Sequence, residues 1–494
     1  FQAEDGIRDV ERSRGLGDVY KRQSEMSMKL VCERCSLSYP PERPWVRCSE
    51  CGGGLKFVFK DETPFFKPVD GLNSMWRYRS VLPIPEEWSP VSLVEGLSPF
   101  VRAVNLGERL GLRNLYLKDD SRNPTGSFRD RAASLMVTWA YRLGFKKVVA
   151  ASNGNMGASL AAYTAKVGLA CRIVVPKNVD EGKIIQLLIY GSEVDEHGLY
   201  LDDAIEKASE IDGETDVYQA TPELNPLSLE AQKTIAYEVW EQLGRVPDVV
   251  VVPVGSGSCL YSVWKGFKEL QEAGLAPGVP RMVAVQAEGC APIVEAFKKG
   301  VEPMELISPK TKATAILVRK PVYGSEVLDA LRDSAGAAVA IRDEEMFRAE
   351  RELARLEGLF VEPSSSSTVA ALPRLLETGF LEPGETVVCV LTGSGLKAPS
   401  ISDFLSYRRR AVELSPETGM KVRILRILAK GGRHGYGVWK TLRGAISLQA
   451  VYQHLRDLEK RGYVESRRLD GRRIYELTEE GRQLLKVFRV LSRR

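Results

Sequence analysis

Four of the eight cysteines form two CxxC pairs near the start of the chain, Cys32-x2-Cys35 and Cys48-x2-Cys51, with twelve residues between them. Two such pairs can bring four thiolates to the corners of a tetrahedron, the geometry that zinc prefers. A redox or iron–sulfur site is the alternative, but the glycines after the second pair fit a structural zinc ribbon better. Because about thirty residues, 29–60, bury too little surface to fold alone, we expect the metal to supply most of their stability.

Three glycine-rich turns are the second group of residues that could form a functional site. They are SNGNMG after residues 146–152, GSGSC after 248–255 and TGSG after 385–393, and each follows a run of apolar, β-branched residues. Successive backbone N–H groups in such a turn, next to a helix N-terminus, can hold a phosphate. The alternative is that these turns only cap helices. Three in one region favour a ligand that carries a phosphate.

Strand-like and helix-like segments alternate over residues 95–395 and determine where these turns lie. Further strands are predicted at 171–176 and 281–289, and helices at 156–166, 201–211, 229–243 and 343–358. Continuous apolar strands that alternate with helices predict an α/β fold with a parallel sheet covered on both faces. Ligands bind such sheets at the carboxyl ends of the strands, where the glycine turns would lie.

Residues 29–405 resemble threonine synthase, a pyridoxal-phosphate (PLP) enzyme of the tryptophan-synthase-β fold type, known as fold type II. The resemblance rests on EGLSPF (95–100), NPTGSFRDR (123–131), GKIIQLLIYGSEV (182–194), LTGSGLK (391–397) and the glycine turns. It implies a two-domain body over 61–410 with a smaller subdomain at about 131–246. It also implies roles for matching residues: Asn155 at the PLP phenolate oxygen, Gly255, Ser256, Gly257 and Ser258 around the phosphate, and Thr392 at the pyridine nitrogen.

The chain departs from this family at the position of the Schiff-base lysine, where Arg129 stands in NPTGSFRDR. Catalysis at that position needs an amine that can lose its proton and attack the PLP aldehyde. A guanidinium stays protonated and has no acceptor to act as a base. If PLP binds, the sequence therefore predicts that it binds without a covalent bond, with Arg129 as its counter-charge.

The substrate pocket implied by the resemblance also departs from the family. Pro222 and Ser228 stand where an asparagine and an arginine would contact the substrate phosphate, and Arg319 replaces a glycine expected near the cofactor ring. Losing a bidentate arginine removes the strongest contact available to a phosphate, and an arginine in place of glycine would crowd the ring. Ser152 is the clearest phosphate contact that remains. Together with Arg129, these changes predict a catalytically degenerate body.

The last eighty residues, 415–494, differ in charge from the rest of the chain. They hold 19 Lys and Arg against 8 Asp and Glu, whereas residues 1–414 hold 50 against 57. A basic module on an acidic body indicates a polyanionic partner. After the turn-rich linker at 415–419, helical patterns predict three helices, the third capped by Ser447 with Val451, Leu455 and Leu458 buried.

The opposite face of the third helix carries a polar stripe that can reach base edges in a DNA major groove: Gln449, Tyr452, Gln453 and Arg456. A hairpin is predicted to follow, turning at Asp470-Gly471 and flanked by Arg467, Arg468, Arg472 and Arg473. Residues 420–489 resemble a PadR-like winged helix, which implies double-stranded DNA as the partner and phosphate or minor-groove contacts for the wing arginines. A solvated basic hairpin in a protein-interaction domain is the alternative.

The remaining expectations concern the chain as a whole. Residues 1–25 lack apolar periodicity and are interpreted as a non-native leader. No stretch is apolar enough to span a membrane, and the scattered cysteines are typical of packed side chains, so we expect a cytoplasmic protein with no membrane partner. The favoured hypothesis is a homodimeric transcription regulator whose body senses an amino-acid or PLP-type ligand. An active threonine synthase with a DNA-binding tail is the alternative, and a purely architectural body explains the retained pocket least well.

Overall fold

The computed structural model describes residues 28–41, 48–59, 66–211, 216–398, 416–469, 472–482 and 484–485. The predicted leader and the Asp470-Gly471 turn lie outside the described residues. The chain divides into two compact units, Phe1–Pro399 and Ser400–Arg494. Among the described residues, no helix combines the length and the apolar character needed to cross a bilayer.

The first unit opens with a small antiparallel sheet made of β1 (Met28–Cys32), β2 (Ser38–Tyr39) and β3 (Leu55–Phe59), in the order β2-β1-β3. Leu30 lies opposite Phe57 in the β1–β3 pairing, and both side chains are buried. Both belong to the hydrophobic cluster that contains Trp139 of the body. The ribbon thus packs on the body as well as folding around its own cysteines.

The body alternates strands with helices, as the sequence predicts. Its strands are β4 (Phe100–Arg102), β5 (Asn114–Asp119), β6 (Lys147–Ala151), β7 (Ala170–Val175), β8 (Glu193–Glu196), β9 (Val217–Gln219), β10 (Val249–Pro253), β11 (Arg281–Ala287), β12 (Ala337–Ile341) and β13 (Thr386–Leu391). Its helices are α1 (Val104–Leu110), α2 (Arg129–Arg142), α3 (Asn155–Val167), α4 (Glu181–Ile189), α5 (Leu201–Glu210), α6 (Leu227–Gln232), α7 (Thr234–Leu243), α8 (Ser258–Glu272), α9 (Pro292–Lys299), α10 (Gly324–Asp333), α11 (Asp343–Glu352) and α12 (Pro363–Glu377).

Two sheets organise these elements. The larger has the order β12-β11-β10-β13-β5-β4 and is parallel except for β4, which pairs antiparallel with β5. The smaller has the order β8-β7-β6-β9 and is parallel throughout. Every residue of β10 and of β13 is buried, which explains why their sequences are apolar without alternation. This is the mixed α/β architecture of a two-domain PLP fold type II body.

Two predicted helices differ in detail from the structure. The helix predicted at 229–243 is divided at Lys233 into α6 and α7, although the Lys233 backbone keeps helical angles. The helix predicted at 343–358 is α-helical to Glu352 and continues as a π-helical turn over Leu353–Glu357. Apolar periodicity alone does not distinguish such variants of helical geometry.

The second unit is a winged helix. It contains α13 (Pro416–Leu428), β14 (Arg433–His434), α14 (Gly435–Thr441), α15 (Leu448–Lys460), β15 (Val464–Leu469) and β16 (Arg472–Leu477), with the strands in the order β14-β16-β15. The predicted inward residues of α15, Val451, Leu455 and Leu458, are buried, and the Ser447 hydroxyl accepts a hydrogen bond from the Ala450 N–H at 3.2 Å. The predicted helical module and its capped third helix are therefore confirmed.

Candidate functional site

One cavity of the body lies where the loops after β6, β10 and β13 meet. Its lining includes most of the residues singled out in the sequence: Arg129, Ser152, Asn155, Pro222, Gly255, Ser256, Gly257, Ser258 and Thr392. These residues come from distant parts of the chain and meet because the loops at the carboxyl ends of strands in both sheets contribute to one cavity. The structure thus brings together the predicted cofactor residues and Arg129.

Arg129 is the first residue of α2, and its side chain lies in this cavity. One guanidinium nitrogen, Nη1, is 3.4 Å from the Ser258 hydroxyl oxygen, and the guanidinium carbon is 4.7 Å from the centre of the Phe128 ring. Among the described residues, Arg129 has no carboxylate within ion-pair distance. A positive charge therefore lies beside the turn that is expected to hold phosphate.

The phosphate turn leads directly into α8, a fifteen-residue helix that begins at Ser258. Gly257 has a φ of +100°, and a Cβ at this position would lie 2.9 Å from the Tyr323 carbonyl oxygen, so only glycine fits without strain. The first N–H groups of a helix have no partner within it and carry a partial positive charge. Together with Arg129, the start of α8 forms the positive end of the cavity.

Asn155 begins α3, and its hydrogen bonds indicate whether the cavity suits a bound ligand. Its amide nitrogen Nδ2 is 3.2 Å from each carboxylate oxygen of Glu362, while its Oδ1 atom is buried with no hydrogen-bond partner. The Ser364 hydroxyl, which also lines the cavity, is likewise buried without a partner. Unpaired buried polar atoms are costly in a folded protein. Their presence fits a cavity that completes its hydrogen bonds with a bound group such as PLP.

Two hydroxyl groups with predicted roles already have protein partners. The Thr392 hydroxyl is 3.0 Å from that of Ser365. The Ser152 hydroxyl accepts hydrogen bonds from the N–H groups of Gly154 and Gly157, each at 2.9 Å. Ser152 therefore shapes the SNGNMG turn, and Thr392 lies at the cavity with a hydrogen bond that a ligand nitrogen would have to share.

Two predicted pocket residues do not line the cavity, so these placements need correction. Ser228 is fully buried within α6, where its hydroxyl accepts a hydrogen bond from Gln232 at 2.9 Å. The Arg319 guanidinium is 3.2 Å from Asp203 and lies over the Tyr200 ring. These acidic and aromatic neighbours draw the Arg319 side chain towards α5, and it does not crowd a cofactor ring.

Two buried lysines near Asn155 were not among the predicted site residues. Lys183 Nζ is 2.8 Å from Asp180 and 3.8 Å from Glu362, and Lys397 Nζ donates to the Thr125 carbonyl at 2.9 Å. Burial lowers the pKa of Lys397 to about 8. Both lie in strings quoted above, GKIIQLLIYGSEV and LTGSGLK, but nothing in their spacing indicates proximity to Asn155. Neither lines the cavity.

The four N-terminal cysteines form a second candidate site. Their sulfur atoms all lie within 4.8 Å of one another, with Cys32 and Cys51 at 3.5 Å and Cys35 and Cys48 at 3.4 Å. A hydrogen bond from the Tyr39 hydroxyl is the main factor that lowers the pKa of the Cys48 thiol to about 6. A closed set of four sulfur donors fits a structural zinc ion and leaves no position for a substrate.

The third candidate site is the surface of the winged helix. Gln449, Gln453 and Arg456 are exposed on α15, whereas Tyr452 is half-buried and so close to Gly435 that a Cβ there would lie 2.3 Å from its ring. Three of the four residues of the predicted polar stripe are thus exposed. Tyr452 instead packs in the fold, with its ring edge beside α14.

Three of the wing arginines, Arg467, Arg468 and Arg473, are exposed, and two of these have acidic partners. Arg467 pairs with Glu476 at 2.7 Å and Arg473 with Glu459 at 2.9 Å. Arg468 is exposed, and the side chain of Arg472 lies outside the described residues. At the start of α14, His434 accepts a hydrogen bond from the Gly437 N–H at 2.8 Å, which gives this histidine a helix-capping role.

Comparison with known proteins agrees with this architecture. A family model of pyridoxal-phosphate dependent enzymes matches residues 91–393, and a model of the PadR-like family of transcriptional regulators matches residues 424–487. Among solved structures, an L-serine ammonia-lyase from Rhizomucor miehei is similar, with a TM-score of 0.55 and 23% identity, covering 64% of this chain and 99% of that protein. Maize serine racemase has the same TM-score, with 18% identity, 64% coverage of this chain and 93% of its own. These structures support the fold alone.

Curated relatives give a more specific comparison. Threonine synthase of Methanocaldococcus jannaschii is 42% identical over 376 residues, which are 74% of this chain and 92% of that protein. Threonine synthase of Methanosarcina acetivorans is 38% identical over 75% of this chain and 92% of its own length. Threonine synthase of Mycobacterium tuberculosis is also 38% identical, over 65% of this chain and 88% of its own length. The protein therefore belongs to the pyridoxal-phosphate dependent enzyme family, with a threonine synthase-like body joined to a PadR-like winged helix.

Proposed function

We propose that this protein is a metabolite-responsive transcription regulator, in which a catalytically degenerate PLP-type body senses a small molecule and a winged helix binds DNA. The observation that carries the proposal is Arg129 in the cavity of a body whose chain also contains a PadR-like module. An arginine cannot replace the lysine amine, because its nitrogens share one delocalised charge and none of them offers a free lone pair to attack an aldehyde.

The residues around the cavity support a non-covalent ligand of the PLP type. PLP, when bound, supplies an electron sink for carbanion chemistry. The start of α8 would hold its phosphate, Arg129 would neutralise the remaining negative charge, and Asn155 offers an unpaired Oδ1 atom as a hydrogen-bond acceptor. Without a lysine in the lining, these residues can bind and orient such a ligand, but no amine among them can move a substrate proton.

The winged helix supports DNA as the second partner. Gln453 and Arg456 are exposed on the face of α15 that is opposite its buried row, as expected of a helix that enters a major groove. Because winged helices often bind DNA as dimers, we expect a homodimer on an inverted repeat with half-sites about 34 Å apart or a multiple of that distance.

A second candidate function is an active PLP-dependent threonine synthase with a DNA-binding tail. The 42% identity to a threonine synthase favours it, as do the retained Asn155 and Thr392. It requires another amine, and the nearest buried candidates are Lys183 and Lys397. The burial that lowers the pKa of Lys397 to about 8 would help it lose a proton, but it first has to reach the cavity.

The decisive experiment asks whether any lysine holds PLP. The purified chain is incubated with PLP, reduced with borohydride and analysed by mass spectrometry. We expect no covalent PLP in the unchanged protein, whereas Arg129→Lys should gain both the label and visible colour without forming threonine from phosphohomoserine. A PLP-labelled lysine in the unchanged chain would favour the enzyme and overturn the degenerate body.

The sensor role is tested separately by titrating PLP and amino acids of the threonine pathway into an operator-binding assay. A ligand that regulates must prefer one of two DNA-binding states, and DNA must change ligand affinity by the same factor. We expect at least one ligand to shift DNA affinity. If none does, and a fragment starting at Ser415 binds the operator as the full chain does, the sensor role is wrong.

A further inference from the structure

The cavity of the body has a negative end as well as a positive one. Glu223, in the loop between β9 and α6, lines the same cavity as Arg129 and the start of α8. Its side chain is buried, with only 3% of the residue exposed. Two opposite charges therefore border one enclosed space.

Neither charge has an ion-pair partner among the described residues, and the two do not pair with each other. The Glu223 carboxylate also accepts no hydrogen bond in that part of the chain, whereas Glu362, the other carboxylate in the lining, interacts with Asn155 and Lys183. A buried charge without a partner is costly, so proteins rarely keep one unless a ligand or a metal pairs with it.

Nearby cations do not satisfy Glu223. Glu223 also lines a second pocket, together with Lys56 and Lys265. Lys265 already pairs with Glu230 and, at 3.5 Å, with Glu269. Lys56 is exposed, and no ion pair joins it to Glu223 in the described residues. Among the described residues, the Glu223 carboxylate is thus left without a charged partner, and the residue borders both the cavity and this second pocket.

We propose that the cavity selects a dipolar ligand, with an anionic group at Arg129 and the start of α8 and a primary or secondary amine at Glu223. The proposal rests on the proposed ligand-binding role of the body and makes it more specific. Glu223 is then a specificity-determining residue that distinguishes a phosphorylated amine from a phosphate ester without an amine. An ammonium group there would form a charge-assisted hydrogen bond and end the electrostatic cost of the unpaired carboxylate.

The test uses matched probes on the full chain. A series of ω-aminoalkyl phosphates of increasing chain length is compared with alkyl phosphates of the same lengths by isothermal titration calorimetry. At the length that spans the two ends, we expect the amine to strengthen binding about tenfold or more, as a hydrogen bond between charged groups does. Glu223→Gln should abolish this gain, so that the aminoalkyl and alkyl phosphates of that length bind with about equal affinity.

A matched control is Glu295→Gln on α9, because Glu295 is exposed and does not line the cavity. It should keep the full gain from the amine. Thermal unfolding without ligand gives a second measurement: Glu223→Gln should be as stable as the unchanged chain or more stable, since it removes an unpaired buried charge. A lower melting temperature would show that Glu223 has a structural partner and overturn the proposal.

The remaining outcomes separate this inference from the proposed function. If the phosphates bind but the amine adds nothing at any length, or if the gain survives in Glu223→Gln, the role of Glu223 is wrong while the phosphate site stands. If no phosphate binds the cavity of the unchanged chain, the ligand-binding body and the dipolar selectivity are both wrong.

Discussion

The body and the winged helix place their charged residues in opposite environments. In the body, Arg131 and Glu238 are fully buried and form an ion pair with each other. Arg131 also contacts Asp120 and Thr234, and Glu238 also pairs with Lys118. In the winged helix, the side chains of Arg467 and Arg473 are 65% and 54% exposed, each with one acidic partner. Buried charges fix geometry because losing one partner is costly, whereas exposed charges remain available to a polyanion. The buried charges of the body therefore stabilise its fold, whereas the charges of the wing stay accessible to solvent and to a charged partner.

The largest effect is expected at the cysteine ribbon. Cys48→Ala should remove the metal and unfold the ribbon, because such sites contribute about 10 kcal/mol or more of folding free energy through the bound ion. Metal analysis of the unchanged chain should find about one zinc per chain, and the variant should have lost it. Cys171→Ala, at a buried cysteine outside the cluster, should keep its zinc.

The ribbon prediction also tests whether the two units respond independently. Limited proteolysis of Cys48→Ala should cut the ribbon first and leave the winged helix intact. Zinc-free protein prepared without chelator, with its ribbon still protected, would contradict the metal site. Loss of the winged helix together with the ribbon would contradict the independence of the two units.

The next effect concerns the buried ion network. Glu238→Gln leaves Arg131 and Lys118 with uncompensated positive charge and should lower the free energy of unfolding by about 3–5 kcal/mol. The matched surface variant Glu476→Gln removes the partner of exposed Arg467 and should cost less than about 1 kcal/mol. Chemical denaturation of each variant measures both values. Similar losses of unfolding free energy in the two variants would contradict the contrast between the two units.

The Glu238 carboxylate should also make the free energy of unfolding depend on pH. Burial raises the pKa of Glu238, but the charges of Arg131 and Lys118 outweigh it and lower the pKa to about 2. Because an unfolded glutamate has a pKa of about 4.3, this contribution is complete above that pH and is lost as the pH falls towards 2. Unfolding between about pH 5 and 2 should be less pH-dependent in Glu238→Gln than in the unchanged chain.

On the winged helix, Gln453→Ala should change specificity more than affinity. If the exposed amide contacts a base in two places, its loss should reduce discrimination at one base pair of each half-site by about 1–3 kcal/mol. Binding to a set of single-base operator variants measures this effect. An equal loss of affinity for every operator variant would indicate that Gln453 contacts the DNA backbone and not a base.

The smallest effect is expected on the wing. Arg472→Ala or Arg473→Ala should weaken binding to all sequences and reduce the slope of log affinity against log salt by about 0.9 for each phosphate that the variant no longer neutralises. Arg473 must leave Glu459 to reach a phosphate, so its effect should be smaller than that of Arg468→Ala, whose side chain is exposed and has no ion pair in the described residues. An unchanged salt slope in all three variants would favour a protein-interaction wing.

Features that depend on local spacing were predictable from the sequence. The strands at 249–253 and 386–391 are long enough and apolar enough to be recognised directly. Gly154 and Gly257 follow from the positive φ angles that two of the strand-to-helix connections need. The buried row of α15 and the Ser447 cap follow from helical periodicity. Cys32, Cys35, Cys48 and Cys51 follow from the spacing of metal ligands.

By itself, then, the sequence determined the order of elements, the four-sulfur cluster and the winged helix, and it predicted that Arg129 stands at the lysine position. Only the tertiary structure decided which side chains face the cavity. It directs Arg319 towards Asp203 and keeps Ser228 inside α6, whereas it brings Glu223 and Glu362 to the lining. The physical reason is that periodicity records which face of an element is apolar, while the direction of a long polar side chain depends on the charges that distant segments bring near it.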